Sequence, residues 1–353
     1  FKNRLSITAD LYQRTTRDMI GPAESIPSIS GIASEDRAKV NNATLRNRGW
    51  ELSVSWNDKL KCGFSYGVGF NVFNYKAVVT KYNNPEGIIY NNHTGLAANK
   101  GYYEGMDLGE IWGYRADDLF LSNREIDDYL RKVDLTAFKS NDLWRRGDLK
   151  YIDTNGDGRV DGGKGTLADP GDQRIIGNST PRYNFGLVLD ASYKGFDVSI
   201  FFQGVGKRDY APIVGTNGAV FWGAVNNIWQ SMAMEEHFDY FRPEGHPMGA
   251  NLNGYYPRPD FTSNKNHQVQ TRYLQDASYI RLKNLQIGYT LPKQWINKLH
   301  INRCRVYVSG DNLWTGTSLA SMFDPETLAA GDWGSGKTYP LSKVISFGLN
   351  VNF

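Results

Sequence analysis

The chain has 353 residues, 40 basic against 37 acidic, with 40% hydrophobic and 13% aromatic residues and a mean hydropathy of −0.50. A net charge of +3 with scattered basic residues leaves no electrostatic footprint for nucleic acid. No stretch approaches the ~18 uninterrupted apolar residues that a membrane-spanning helix requires.

In chain order, the first periodic element alternates Leu5, Ile7, Ala9 and Leu11 with Ser6, Thr8, Asp10 and Tyr12. A period of two places one apolar and one polar face on a β-strand. Trp50, Leu52, Val54 and Trp56 alternate with Glu51, Ser53 and Ser55, and Phe64, Tyr66, Val68, Phe70 and Val72 alternate with Ser65, Gly67, Gly69 and Asn71. Only residues 57–63 separate these runs, which predicts a hairpin. A second hairpin pairs Tyr183, Phe185, Leu187, Leu189 and Ala191 with Phe196, Val198, Ile200 and Phe202, through Tyr193, Lys194 and Gly195. Val188 and Phe201 are the apolar exceptions on its polar face. Further on, Ile280 and Leu282 share one parity and Leu285, Ile287 and Tyr289 the other, so a β-bulge near Lys283 and Asn284 restores the face. Val306 and Val308 alternate with Arg305, Tyr307 and Ser309, and the closing run alternates Ile345, Phe347, Leu349, Val351 and Phe353 with Ser346, Gly348, Asn350 and Asn352.

One greasy face opposite Ser, Gly and Asn, ending on an aromatic residue, is the pattern of an outer-membrane strand with lipid outside and a polar lumen inside. The predicted class is all-β, an antiparallel transmembrane β-barrel of which about eight strands are present. Short turns fall at 57–63, 193–195 and 292–300; long segments fill about 17–44, 80–182, 207–276 and 315–341. Such barrels have short periplasmic turns and long extracellular loops. Trp50, Trp56, Tyr66, Tyr183, Tyr193, Tyr289 and Trp295 fall near strand ends, where interfacial girdles sit. The chain enters a strand at once, without an initiator Met or export signal. Eight strands forming an open sheet cannot reside in lipid, because edge N–H and C=O groups would be unsatisfied. Further strands ahead of Phe1 are therefore expected to close the barrel.

Longer motifs extend this reading. Phe1-Lys2-Asn3-Arg4-Leu5-Ser6-Ile7-Thr8-Ala9-Asp10, Asn47-Arg48-Gly49-Trp50-Glu51-Leu52, Gly147-Asp148-Leu149-Lys150-Tyr151-Ile152-Asp153, Ile176-Gly177-Asn178 with Pro181, and Ser278-Tyr279-Ile280-Arg281-Leu282-Lys283-Asn284-Leu285 resemble the C-terminal part of SusC/RagA-type TonB-dependent outer-membrane transporters. Asp324-Pro325-Glu326 and Tyr339-Pro340 carry the resemblance to the closing strand. It implies a plugged barrel of the 22-stranded kind, with residues 1–353 supplying the last third. It also implies an N-terminal plug and TonB contact outside this chain, a SusD-like surface lipoprotein over the barrel mouth, and import of oligosaccharide or peptide across the outer membrane of a Gram-negative bacterium.

Asp153, Asn155, Asp157 and Asp161 occupy positions 1, 3, 5 and 9 of an EF-hand-like loop, with Gly158 at position 6 and the Arg159 carbonyl at position 7. Hard oxygen ligands at this spacing suit structural Ca²⁺. Position 12 is Lys164, and 162–171 has the look of an insertion relative to the resembling family, which leaves Asp172 or Asp169 to complete the set. The alternative is an Asx/Gly-rich turn held by its own hydrogen bonds. Upstream, Ser122 and Glu125 have capping-box spacing before Ile126, Tyr129, Leu130 and Val133, predicting a short helix.

The segment 207–276 carries Trp222, Trp229, Tyr240, Phe241, Tyr255 and Tyr256 with Arg242, Arg258 and Arg272. Aromatic and arginine side chains of this kind suit a lipoprotein interface or contact with a sugar or peptide. Catalysis finds no support: His93, His237, His246, His267 and His300 lack metal-ligand spacing, there is no G-x-S-x-G, and Cys62 and Cys304, on non-adjacent strands, are expected to be unpaired. Two other classes fit parts of the pattern, a passive porin or adhesin-like barrel and a soluble Ca²⁺-dependent glycan-binding β-sandwich.

Overall fold

A computed structural model describes residues 2–21, 40–84, 87–89, 102–138, 143–212, 219–222, 234–259, 265–297, 300–328 and 338–353. The strands among them are β1 (Leu5–Gly21), β2 (Val40–Lys59), β3 (Ser65–Lys81), β4 (Glu110–Gly113), β5 (Ala116–Leu119), β6 (Leu149–Tyr151), β7 (Arg174–Asn178), β8 (Arg182–Tyr193), β9 (Phe196–Lys207), β10 (Asp209–Tyr210), β11 (Gln275–Asp276), β12 (Tyr279–Thr290), β13 (Arg303–Thr317) and β14 (Val344–Asn352). Eight of them form one antiparallel sheet in the order β1-β2-β3-β8-β9-β12-β13-β14. No described helix is long and apolar enough to cross a membrane.

The register carries one apolar face across the sheet. Ile7 lies opposite Val54, Val54 opposite Phe70, Phe70 opposite Leu187, Leu187 opposite Phe202 and Phe202 opposite Leu282. At the far edge Val306 faces Leu349 and Val308 faces Phe347. Side chains directly opposite on paired strands share a face, so every predicted apolar run points the same way. On β14 this face is open: Phe347 is 85% exposed, Ile345 66% and Leu349 64%. A β-sandwich would cover these residues with a second sheet; here nothing among the described residues does, and lipid is the solvent that suits them.

The predicted bulge is present, with a register shift between Leu282 and Asn284 on both neighbours of β12. It moves Leu285 and Ile287 onto the face of Ile280 and Leu282. Tyr183 and Tyr193 end the apolar band on β8. Ten residues at about 3.3 Å each span roughly 33 Å along the strand, or about 25 Å of membrane depth at a tilt of 35–45°. One expectation needs correction: the first long connection is not 17–44, because β1 and β2 continue to pair up to Gly21 and Val40 through irregular register at Thr16, Met19 and Ile20. Strand pairing there outlasts the apolar alternation, since backbone hydrogen bonds do not depend on side-chain polarity.

The three short connections gather at one end, where Lys59 faces Ser65, Tyr193 faces Phe196 and Thr290 faces Arg305. The long connections gather at the other. β1 pairs only with β2 and β14 only with β13 among the described residues, so the sheet is an open wall with two free edges. Cys62 is an exposed free thiol and Cys304 a buried one.

Candidate functional site: the loop lobe and the inner wall

The long connections pack together into a lobe with its own core. Tyr114, Leu119, Phe138, Leu149 and Tyr151 come from the β3–β8 connection, Phe221, Trp222, Phe241, Tyr256 and Tyr273 from the β9–β12 connection, and Leu319, Phe323 and Leu328 from the β13–β14 connection. Phe138 stacks on Tyr151 at 4.4 Å, Trp222 meets Tyr273 edge-on at 4.9 Å and Phe221 stacks on Phe323 at 6.2 Å. The small sheets β4–β7, β5–β6 and β10–β11 frame this core. The predicted helix is α1 (Asn123–Leu130), capped by Ser122 Oγ, which accepts from Glu125 N at 3.1 Å. Glu125 reaches the amide of Leu121 rather than that of Ser122. Ile126 is buried and Tyr129 packs against the core.

Two ionic centres lock the lobe. Asp148 and Lys265 are fully buried and 2.9 Å apart. Arg258 lies 3.3 Å from the same carboxylate and Asn266 Nδ2 donates to it at 2.9 Å. Lys265 Nζ also donates to the Leu143 carbonyl and lies 5.5 Å over the Trp144 ring. The second centre ties the last loop to the wall: Arg281 on β12 binds Asp324 at 2.8 Å and Glu326 at 3.1 Å, and Lys283 binds Glu326 at 3.0 Å. Burial pushes the Asp324 carboxyl up, but Arg281 and the backbone N–H groups of Glu326 and Leu341 outweigh it and hold the group below its ordinary value. A carboxylate lowered in the folded state contributes stability above its unfolded value, about 4, and loses it as pH falls through the lowered one. Protease cleavage of residues 315–341 should therefore rise below about pH 4, and an Asp324→Asn variant should be cleaved already at neutral pH. Equal cleavage of parent and variant at neutral pH would contradict the latch.

The structure corrects part of the aromatic set expected to touch ligand or partner. Trp222, Phe241 and Tyr256 are 2%, 1% and 6% exposed and form the lobe core instead of its surface, because the loops bury their largest side chains against each other. Burial pushes the Tyr256 and Tyr273 phenols well up, keeping them neutral. Arg258 is engaged with Asp148, and Arg272 with Asp118 and the Gly254 carbonyl. Tyr255 is 37% exposed, and Arg242 lies over the Tyr240 ring at 5.0 Å while bonding the Gly249 carbonyl. Those three remain at the lobe surface. Trp229 lies outside the described residues.

Gly147 shows how tightly the loops interlock. Its φ is +86° and an added Cβ would meet the buried Phe241 ring; its N–H bonds the Phe120 carbonyl and its carbonyl accepts from Arg258 N. Gly147→Ala combines a left-handed backbone with overpacking and should cost the lobe about 1–3 kcal/mol. Hydrogen exchange of the amides around 147 and 258 measures it, and unchanged protection would exclude the effect.

The loop from Asp153 is a stack of side-chain-to-backbone turns. Asp153 accepts from Gly156 N at 2.6 Å and Gly158 N at 2.8 Å, Asn155 from Asp157 N, Asp157 from Arg159 N, and Asp161 from Gly163 N. Asp161 also pairs with Arg159 at 3.0 Å. Asp172 is fully buried and accepts from Thr154 N at 2.6 Å and Asp161 N at 3.0 Å, bracing the loop from within. Asp169 lies against Gly163. Among the described residues no three His, Cys, Asp or Glu side chains converge as a metal set; the oxygens expected as ligands are occupied by amide N–H groups.

The inner wall carries a cavity of about 520 Å³ lined by Ser6, Thr8, Ser53, Asn71, Asn184 and Gln203, with Phe73, Val188 and Phe201 forming an apolar step. Val188 and Phe201 face each other across β8 and β9, so the two parity exceptions form one surface. Phe73 lines the same cavity from β3, a contribution its own sequence neighbourhood did not signal.

A sheet with a lipid-ready outer face, a polar inner wall and a folded lobe of long loops defines part of a transmembrane β-barrel of the outer-membrane type. The chain belongs to the TonB dependent receptor-like, β-barrel family, which matches residues 1–313. Among curated relatives, the TonB-dependent receptors P3 and P39 of Formosa agariphila are 28% and 25% identical over the whole chain, which covers 33% and 34% of their lengths. Solved structures of the RagAB peptide transporter and of the RagAB peptide importer in the open-open state align over the whole chain, at TM-scores of 0.68 and 0.69 and identities of 24% and 22%. The chain covers 34% and 33% of those structures, and at such identities the likeness is one of fold. The chain thus spans about a third of the length of the relatives it matches. TonB-dependent receptors are transporters, not enzymes.

Proposed function

We propose that this chain forms the C-terminal wall and outer loop lobe of a TonB-dependent importer in the outer membrane of a Gram-negative bacterium, taking up oligosaccharides or peptides. The observation that carries the proposal is the apolar face that all eight strands share in register, backed by a polar inner wall. An open sheet cannot stay unpaired in lipid, so the remaining strands and the plug belong to the rest of the receptor, as does the contact with TonB. A SusD-like lipoprotein closing on the lobe is the proposed partner, with Tyr255, Tyr240 and Arg242 as contacts for the lid or the substrate; aromatic and arginine side chains are enriched at such interfaces. Neutral polar groups beside an apolar step suit a peptide backbone or a sugar ring equally. Uptake by cells carrying the whole receptor should stop when the proton-motive force is collapsed or TonB is removed. Uptake continuing at a passive rate would instead support a porin.

We also propose that the Asp153 loop takes up Ca²⁺ weakly and structurally. Supporting this, the Asp153 Oδ2 to Gly158 N bond, with Gly158 at φ +82°, joins positions 1 and 6 of the loop. Asp153, Asn155, Asp157 and the Arg159 carbonyl would supply oxygens, with Asp161 at position 9 and Asp172 bracing the loop. A cation must displace existing turn bonds and finds no bidentate Glu at position 12, so affinity should be modest. Millimolar Ca²⁺ should slow proteolysis near residues 153–172 in the parent and not in Asp153→Ala/Asp157→Ala. Identical protection of both would leave a cation-independent turn.

A further inference from the structure

The short-turn end of the sheet holds a concentration of positive charge that the transport reading does not use. Residues 2–4, 57–65, 193–196, 290–297 and 300–303 build this end and carry seven basic residues against one acidic residue, Asp58. The whole chain has 40 basic and 37 acidic residues, so everything beyond this rim is net acidic. Asp58 is held by Arg4 at 2.7 Å. The next carboxylate inward, Asp197, is bound by Arg305 on the inner wall. Lys59, Lys61, Lys194, Lys293 and Arg303 are all exposed.

Immediately inside the rim, on the lipid-facing row, lies a band of aromatic rings. Trp56 Nε1 donates to Tyr66 OH at 3.2 Å, Phe64 packs on Tyr66 and Tyr193 at 6.0 and 6.3 Å, and Phe196 packs on Tyr289 at 4.5 Å. Trp295, two residues from Lys293, is 64% exposed. Lys194 Nζ lies 5.1 Å over the Tyr193 ring, so its ammonium rests against the aromatic surface. Aromatic rings settle at headgroup depth and lysines snorkel outward from there. Ammonium groups just outside an aromatic band meet the plane of lipid phosphates, where each adds attraction to an anionic surface.

We propose that this rim selects anionic glycerophospholipids in the leaflet facing the short turns, with Lys61, Lys194 and Lys293 engaging headgroup phosphates and the aromatic band seating the glycerol and upper acyl region. The inference rests on the reading of the sheet as a membrane barrel wall. Self-repulsion among like charges on one rim is offset by such counter-charge.

The test uses the whole receptor in detergent, with native mass spectrometry counting retained phosphatidylglycerol and phosphatidylcholine of identical acyl chains. The parent should retain phosphatidylglycerol several-fold over phosphatidylcholine, and raising salt from about 0.05 M to about 0.5 M should shrink that preference by screening. Lys61→Gln/Lys194→Gln/Lys293→Gln should lower it on the order of tenfold without changing phosphatidylcholine retention. Lack of preference in the parent overturns the proposal, and so does an undiminished preference in the triple variant. Displacement of phosphatidylglycerol by inorganic phosphate alone would reassign the rim to free phosphate. Should the triple variant fail to assemble, the salt dependence of the parent and the single Lys194→Gln variant decide. A receptor that stays soluble without detergent overturns the barrel reading itself, whereas a folded, heat-modifiable barrel without lipid preference overturns only this inference.

Discussion

Leu349→Arg and Val54→Arg should each sharply reduce the amount of folded receptor in the membrane, while Ser346→Arg and Ser53→Arg should assemble near the parental level. The first pair lies on the lipid-facing row and the second on the inner wall, Ser53 one residue from Val54 and Ser346 three residues from Leu349. A guanidinium near the bilayer midplane costs about 2–4 kcal/mol on the lipid face and little in a hydrated lumen. Leu349 is 64% exposed, so packing loss cannot account for its half of the effect. Heat-modifiable gel mobility of outer-membrane fractions measures the yield, and equal yields from all four variants would sink the facial assignment.

Lys265→Met should loosen the loop lobe by about 3–5 kcal/mol, the cost of leaving a buried charge without its partner. Asp148 has no solvent to turn to, and Arg258 at 3.3 Å provides only part of the compensation. Removing both charges, as Asp148→Asn/Lys265→Met, should recover much of the loss, because a neutral pair carries no desolvation penalty. Limited proteolysis between 143 and 148 and between 258 and 266 reads the lobe, and heat modifiability reads the wall. A single variant as protease-resistant as the parent, or a double variant no better than the single, would show that the ion pair is not what joins the two loops.

The wall was legible because lipid-facing and lumen-facing residues alternate with the pleat. Leu5 to Leu11, Trp50 to Trp56, Tyr183 to Ala191 and Ile345 to Phe353 carry their faces in their own spacing, and the parity break at Lys283 and Asn284 announced the bulge. Short turns were legible for the same reason, as interruptions in a strict period. The lobe was not, because its loops lack a repeat. Trp222, Phe241 and Tyr256 have the composition of contact residues, and whether an aromatic ring covers a partner or a neighbouring loop depends on what folds against it. The acidic run from Asp153 is similarly ambiguous: the oxygens that suit a cation also suit the amide N–H groups of a tight turn.

The sequence by itself determined the class, the faces of the strands, the position of the bulge and the segregation of short and long connections, since these follow from local periodicity and the insolubility of apolar side chains in water. Only the tertiary structure decided that three distant loops share one core, that Asp148 and Lys265, 117 residues apart in the chain, form its buried ion pair, and that Phe73, Val188 and Phe201 line one cavity on the inner wall. Those arrangements depend on strand register and on loop closure over long stretches of chain, and no local pattern encodes which distant side chain will supply the missing half of a contact.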